Sequence, residues 1–185
     1  MSGREQERIV YDPVIRRVHW LSVVLALVTV MLAWGMIGAP RHGAGRVWGI
    51  SLHASFGLVI LMVMAFWLGW RLRHPAPPLR PVLRPFEAAV AKAAQWAIVV
   101  LFIAMPVSGY LSLAAAGVPV QFFGLFDLPL LAPHSNRLSQ LAIALHLAGE
   151  FLIYGLVALH VAAALMHGFI RRDGILERML PPPRR

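Results

Sequence analysis

The chain is expected to be an all-α integral membrane protein, a four-helix bundle, and three features of its sequence lead there. Of its 185 residues, 59% are hydrophobic and 14% charged, a balance far from that of a water-soluble domain. The apolar residues gather into four runs, each long enough to cross about 30 Å of hydrocarbon as a helix. Histidines recur within those runs at two levels, although a polar ring in hydrocarbon is costly and needs a reason to be there.

Residues 1–17 are polar and basic, and the first span is placed at Val18–Ile37. A signal peptide is the competing reading, but the run is longer than a usual signal core and cleavage after it would discard His19. The expected organisation is an N-terminal segment 1–17, a membrane domain 18–170 and a basic tail 171–185. His19 stands at the mouth of the first span beside Trp20, whose ring suits an interface. Arg16 and Arg17 next to it either set topology or meet the acidic edge of a cofactor.

The connection Gly38–Gly49 contains Pro40, several glycines, Arg41, His42 and Arg46, and is short enough to force antiparallel neighbours. The second span, Ile50–Trp70, is expected to carry His53 in its first turn, with Gly57 four residues on along the same face. That glycine either admits a flat ring close to the backbone or serves helix packing. Five prolines between His74 and Pro85 predict an extended connection with His74 in solvent. The third span, Ala88–Leu113, has no histidine; its Pro106 and Gly109 suggest a bend, and it reads as a wall rather than a source of ligands. The connection Ala114–Arg137 is rich in Phe and Leu and is expected to fold over the bundle end, with His134, like His42, an ordinary loop histidine. The fourth span, Leu138–Ile170, holds His146, His160 and His167, together with Glu150 as a proton carrier, a hydrogen-bond partner or a neutral acid.

Charge follows topology. Thirteen arginines flank the ends that carry both termini and the second connection, whereas Arg41, Arg46 and Arg137 flank the other side. The positive-inside rule therefore places both termini in the cytoplasm and accounts for the net charge of +9 without a nucleic-acid partner.

The histidines carry the chemistry. His146 and His160 are fourteen residues apart, close to four helical turns, so they leave one face of the fourth span at levels about 21 Å apart. His19 lies near the same level as His160, and His53 near that of His146. A metal needs two imidazoles at one depth, so His19 pairs with His160 and His53 with His146. With no cysteine in the chain, thiolate-ligated iron, iron–sulfur clusters and covalent haem attachment drop out. Two b-type haems between the helices fit best, each a flat apolar ring taking neutral imidazole above and below.

The sequence resembles the prokaryotic cytochrome b561 family over nearly its whole length. The resemblance is carried by His19-Trp20, His53, Pro106-Val107-Ser108-Gly109, His146 and His160 fourteen apart, and His167. It implies a di-haem, quinone-linked redox protein of the bacterial inner membrane, with His19 and His160 on the cytoplasmic-side haem and His53 and His146 on the outer one. It also implies superoxide as electron donor at the outer face, the ubiquinone pool as acceptor, and His167 as a quinone contact, a position that an interfacial histidine or a propionate partner would fill equally well. Arg41, Arg46 and Arg137 are then the cations available to draw the superoxide anion inward. The alternative is a cytochrome b membrane subunit passing electrons from a partner dehydrogenase or hydrogenase to quinone. A haem-free transporter is disfavoured, because no repeat or broken helix is detectable.

Overall fold

The computed structural model describes residues 10–40, 43–75 and 83–180. Four long helices dominate: α1 (Pro13–Ile37), α2 (Ala44–Arg73), α3 (Pro85–Ala115) and α4 (Asn136–Leu165). All four are long and apolar enough to cross a membrane. Helix α4 continues as a wider π turn over Met166–Arg171, and a short 3₁₀ turn follows at Leu176–Arg178.

Each helix begins earlier than its apolar run, because helix starts are made by caps and prolines rather than by the first hydrophobic residue. Asp12 caps α1, its Oδ1 accepting from Val14 N at 2.8 Å and Ile15 N at 3.3 Å, and Pro13 opens the first turn. Ser135 caps α4 by accepting from Leu138 N at 3.3 Å. In α3, Pro85 takes the first position, and Glu87 reaches back to accept from Arg84 N at 3.1 Å. Because α2 starts at Ala44, His53 stands in its third turn and not in its first. Helix α3 runs unbroken through Pro106. Arg41 and His42 lie outside the described residues.

The helices pack in chain order, α1 on α2, α2 on α3 and α3 on α4. A mid-bundle cluster of Leu25, Ile60 and Met64, flanked by Phe56, Phe102 and Ile103, joins α1, α2 and α3. Large apolar side chains such as Trp34, Phe66, Phe151 and Ile170 point outward, the arrangement expected of helices solvated by lipid. Several hydroxyls within the spans donate to their own helix: Ser22 to Val18 O at 2.8 Å, Thr29 to Leu25 O at 2.7 Å, and Ser55 to Ser51 O at 2.7 Å.

The third connection does fold over one bundle end, as a hairpin of β1 (Val120–Phe122) and β2 (Phe126–Leu128) with Val120 opposite Leu128. Ser51 of α2 donates to Gln121 O at 2.9 Å, Ser55 Oγ lies 3.1 Å from the same oxygen, and Phe123 N donates to Ser55 Oγ at 2.8 Å. The turn needs Gly124, whose φ of +72° is left-handed and which lies so close to Trp48 that a Cβ would come within 3.0 Å of its ring. Tyr110 of α3 donates to Pro129 O and holds the far end of the hairpin.

At the opposite end, the terminal end where the described residues begin and finish, Trp70 Nε1 of α2 donates to Asp12 Oδ1 at 3.1 Å and ties α2 to the start of α1. The segment after α4 returns across α1: Tyr11 N donates to Arg178 O at 3.2 Å, Arg16 to Leu180 O at 2.8 Å and Trp20 Nε1 to Met179 O at 3.0 Å. His74 is not free in solvent. Its Nδ1 meets Trp70 O at 3.1 Å, and its ring stacks on Trp70 with centroids 4.3 Å apart.

Candidate functional site: two histidine pairs

The helices bring four histidines together as two pairs. His53 of α2 and His146 of α4 have ring centroids 6.0 Å apart near the hairpin end; His19 of α1 and His160 of α4 have centroids 6.3 Å apart near the terminal end. An iron held between two imidazoles sets their centroids about 6 Å apart, from metal–nitrogen bonds of about 2 Å and a ring radius of about 1 Å. The two pairs sit at separate levels of the bundle. On α4 the ligand candidates are fourteen residues apart, and on α1 His19 is ten residues from Thr29, the residue that meets His53.

The pair at the hairpin end is prepared in detail. His53 Nδ1 lies 3.0 Å from Thr29 O, and His146 Nδ1 lies 2.9 Å from Met105 O. A carbonyl only accepts, so each Nδ1 carries the hydrogen and each Nε2 keeps its lone pair. Metal-ligating histidines are oriented in this way. Ser108 Oγ, which donates to Met105 O at 2.9 Å, sits 3.3 Å from the same His146 nitrogen. Gly109 completes the seat, because a Cβ there would stand 3.0 Å from His146 Cε1 and 3.1 Å from Nδ1. Helix α3 therefore does more than form a wall: a carbonyl, a hydroxyl and a missing side chain set the imidazole of α4.

Around this pair lies a largely apolar cavity of about 440 Å³, lined by His53, Gly57, Phe102, Pro106, Gly109 and His146 among others. A Cβ on Gly57 would make an ordinary contact with Pro106 Cβ at 3.6 Å, so this glycine widens the space between α2 and α3 without being required for their packing. Glu150 also lines the cavity and accepts from Tyr154 OH at 2.7 Å, which identifies it as a hydrogen-bond partner within α4. Arg46 lines it too, one guanidinium nitrogen donating to Met36 O at 2.7 Å. Arg137 is exposed in the first turn of α4. Arg41, the third outer cation, lies outside the described residues.

The pair at the terminal end has a different neighbourhood. His19 is flanked by Trp20, with ring centroids 5.2 Å apart. Arg16, three residues earlier, keeps its Nε buried without a hydrogen-bond partner among the described residues, a donor suited to an acidic group. His167 is buried in the π turn beyond His160, and its Nδ1 lies 2.5 Å from Asp173 Oδ2.

This donor set tests which metal species fits. Among the described residues no three His, Cys, Asp or Glu side chains cluster as they would around a bare ion. Two imidazoles with centroids about 6 Å apart beside an apolar cavity suit a metal whose remaining positions are filled by a flat macrocycle, as in haem. Thr29 and Met105 act through backbone carbonyls, which leave no mark in a sequence; Ser108 and Gly109 belong to the Pro106–Gly109 motif, whose task emerges only from the fold.

Fold and paired imidazoles together describe a membrane bundle shaped for haem and hence for electron transfer. The chain belongs to the prokaryotic cytochrome b561 family, whose model matches residues 10–182. It is 33% identical over 175 residues to a probable superoxide oxidase CybB of Yersinia pestis, covering 90% of this chain and 93% of that protein. It is 31% identical over 162 residues to cytochrome b561 homolog 2 of Escherichia coli, covering 88% and 86%, and 25% identical over 167 residues to homolog 1, covering 88% and 92%. Family membership makes the chain a bacterial integral membrane protein of electron transport that binds haem b and works with a quinone or redox partner.

Proposed function

We propose that the chain carries electrons across the membrane through two haems, taking them from superoxide at the outer face and giving them to ubiquinone near the cytoplasmic face. The observation that carries this reading is the pair of histidine pairs, with centroids 6.0 and 6.3 Å apart at two separate depths. His53 and His146 would hold the outer haem; His19 and His160 the inner one. Bound haem supplies the one-electron carrier. Every other task belongs to the chain. Thr29 and Met105 fix the outer imidazoles, so the ligand nitrogens need little reorganisation. The largely apolar cavity wall gives the outer site a surface suited to a flat apolar ring. Arg16 and Arg46 offer cations to acidic cofactor edges, and Arg137 lends the outer mouth positive charge that attracts an anion.

The donor assignment draws on the name borne by the Yersinia pestis relative. Direction follows from charge: the terminal end carries Arg16, Arg17, Arg71, Arg73, Arg171 and Arg172, so both termini face the cytoplasm. His167 would then meet quinone on that side. Stopped-flow visible spectroscopy of the oxidised protein tests the proposal. Rapid reduction by superoxide followed by reoxidation by ubiquinone is expected. Haems that stay oxidised under superoxide but accept electrons from a copurifying dehydrogenase would replace it with the membrane-subunit reading.

A further inference from the structure

Beyond the haem sites, the terminal end holds a second buried polar construction. His167 is 9% exposed, and its Nδ1 lies 2.5 Å from Asp173 Oδ2. The carboxylate is itself held: Asp173 Oδ1 accepts from Ile175 N at 3.2 Å, and Asp173 N donates to His167 O at 3.4 Å. The chain reverses between the two residues at Arg172, whose φ of +49° is a left-handed conformation unusual for a side chain of that size. Gly168 packs so closely on Leu176 that no Cβ would fit without moving that side chain. The returning segment is then fastened to α1 through Tyr11, Arg16 and Trp20. A wider helical turn, a left-handed residue and an interhelical strap thus converge on one result, a carboxylate held at a fixed position behind a buried imidazole.

We propose that Asp173 is the positioning residue of a proton-delivery pair in which His167 hands a proton to the reduced quinone. This rests on the reading of His167 as a quinone contact. With Asp173 on Nδ1, the hydrogen on that nitrogen is fixed and Nε2 is left to face the substrate. Quinone becomes quinol by gaining two electrons, delivered one at a time from the donor through the chain, and two protons. One proton passes from Nε2: the Nε2–H bond breaks, a quinone O–H bond forms, and the ring becomes neutral with Nδ1–H still on Asp173. Water from the cytoplasm then reprotonates Nε2 and supplies the second proton. The other charged groups that packed elements bring to this end are Arg171, engaged by Glu87 of α3 at 2.8 Å, Arg16 of α1, and Arg172, Glu177 and Arg178 of the returning segment. Among these, Asp173 is the carboxylate bonded to the ring.

The test uses the haem-loaded full chain, chemically reduced and mixed with a short-chain ubiquinone, so that no donor is assumed. His167→Ala is expected to slow reoxidation about 100-fold, the contribution of a positioned acid. Asp173→Asn keeps an acceptor for Ile175 N. It is expected to slow the saturating rate about 10-fold with little change in the half-saturating quinone concentration, to enlarge the solvent deuterium isotope effect, and to move the alkaline fall of the rate to lower pH. Asp173→Glu keeps the carboxylate and is expected to retain the wild-type pH profile. Haem content and visible spectrum should be unchanged throughout. If His167→Ala leaves rate and half-saturation as they were, the quinone site lies elsewhere and the underlying reading falls. If His167→Ala is slow while Asp173→Asn matches wild type in rate, pH profile and isotope effect, the quinone site stands and the pair is overturned. Asp173→Glu behaving as Asp173→Asn would overturn it as well.

Discussion

Replacing Gly109 by alanine should weaken one cofactor site and spare the other. The added Cβ would stand 3.0 Å from His146 Cε1 and 3.1 Å from Nδ1, whereas carbon atoms rest comfortably at about 3.5 Å or more. The imidazole must therefore retreat by roughly 0.5 Å. Its Nδ1 is already engaged with Met105 O at 2.9 Å, on the same helix as the new methyl group, so retreat lengthens that bond and tilts Nε2 away from His53. Loss of an orienting interaction behind a ligand typically costs 10–100-fold in metal affinity, and about 10-fold is expected here. The assay is haem titration into the purified apo-protein followed by visible difference spectra, with Gly155→Ala as control because a Cβ there meets nothing within 4 Å. One haem should bind as in wild type and one more weakly. Equal, wild-type affinity at both sites would refute the seat described for His146.

Three further outcomes follow from other parts of the molecule. Partial burial pushes the Asp12 carboxyl up, but hydrogen bonds from Val14 N, Trp70 Nε1 and Ile15 N outweigh it and hold the group below its usual 3.8. Its contribution to stability is therefore present above that value and lost as pH falls through the lower folded-state value; thermal midpoints in acid should fall less steeply for Asp12→Asn than for wild type. Gly149→Val should destabilise the α3–α4 contact by about 1–3 kcal/mol, since even a Cβ would come within 2.5 Å of Met105 Sδ; thermal unfolding in detergent reads this directly. Arg137→Gln should slow haem reduction by superoxide at low ionic strength and converge with wild type in high salt, haem content being unchanged; equal rates at low salt would remove Arg137 from steering.

How much of this was legible in the sequence differs by feature. Four spans and their order could be read because hydrocarbon demands long apolar helices, and little else satisfies a backbone there. The ends could not be read from hydropathy, since Asp12 and Ser135 are polar caps and Pro13 opens its turn by its fixed backbone angle. That same effect displaced His53 from an expected first turn to a third, yet its ring still meets that of His146, because an earlier helix start changes the turn count and not the level of the side chain in the bundle. The pairing of histidines was visible because helical rise converts residue spacing into depth. What holds them was hidden: Thr29 and Met105 contribute carbonyls, which every residue has. Asp173 was hidden for another reason. It lies past the last long apolar run, where sequence suggests a solvated tail, and only the left-handed turn at Arg172 returns it to His167.

The pairing of ligands is the central claim, and double substitution measures it most directly. Haem would be quantified by pyridine haemochrome in wild type, in His53→Ala/His146→Ala, in His19→Ala/His160→Ala and in the crossed variant His53→Ala/His160→Ala. Wild type should hold two haems per chain, each within-pair variant one, and the crossed variant none. A crossed variant that keeps one haem while a within-pair variant loses both would contradict the pairing and the electron path built on it.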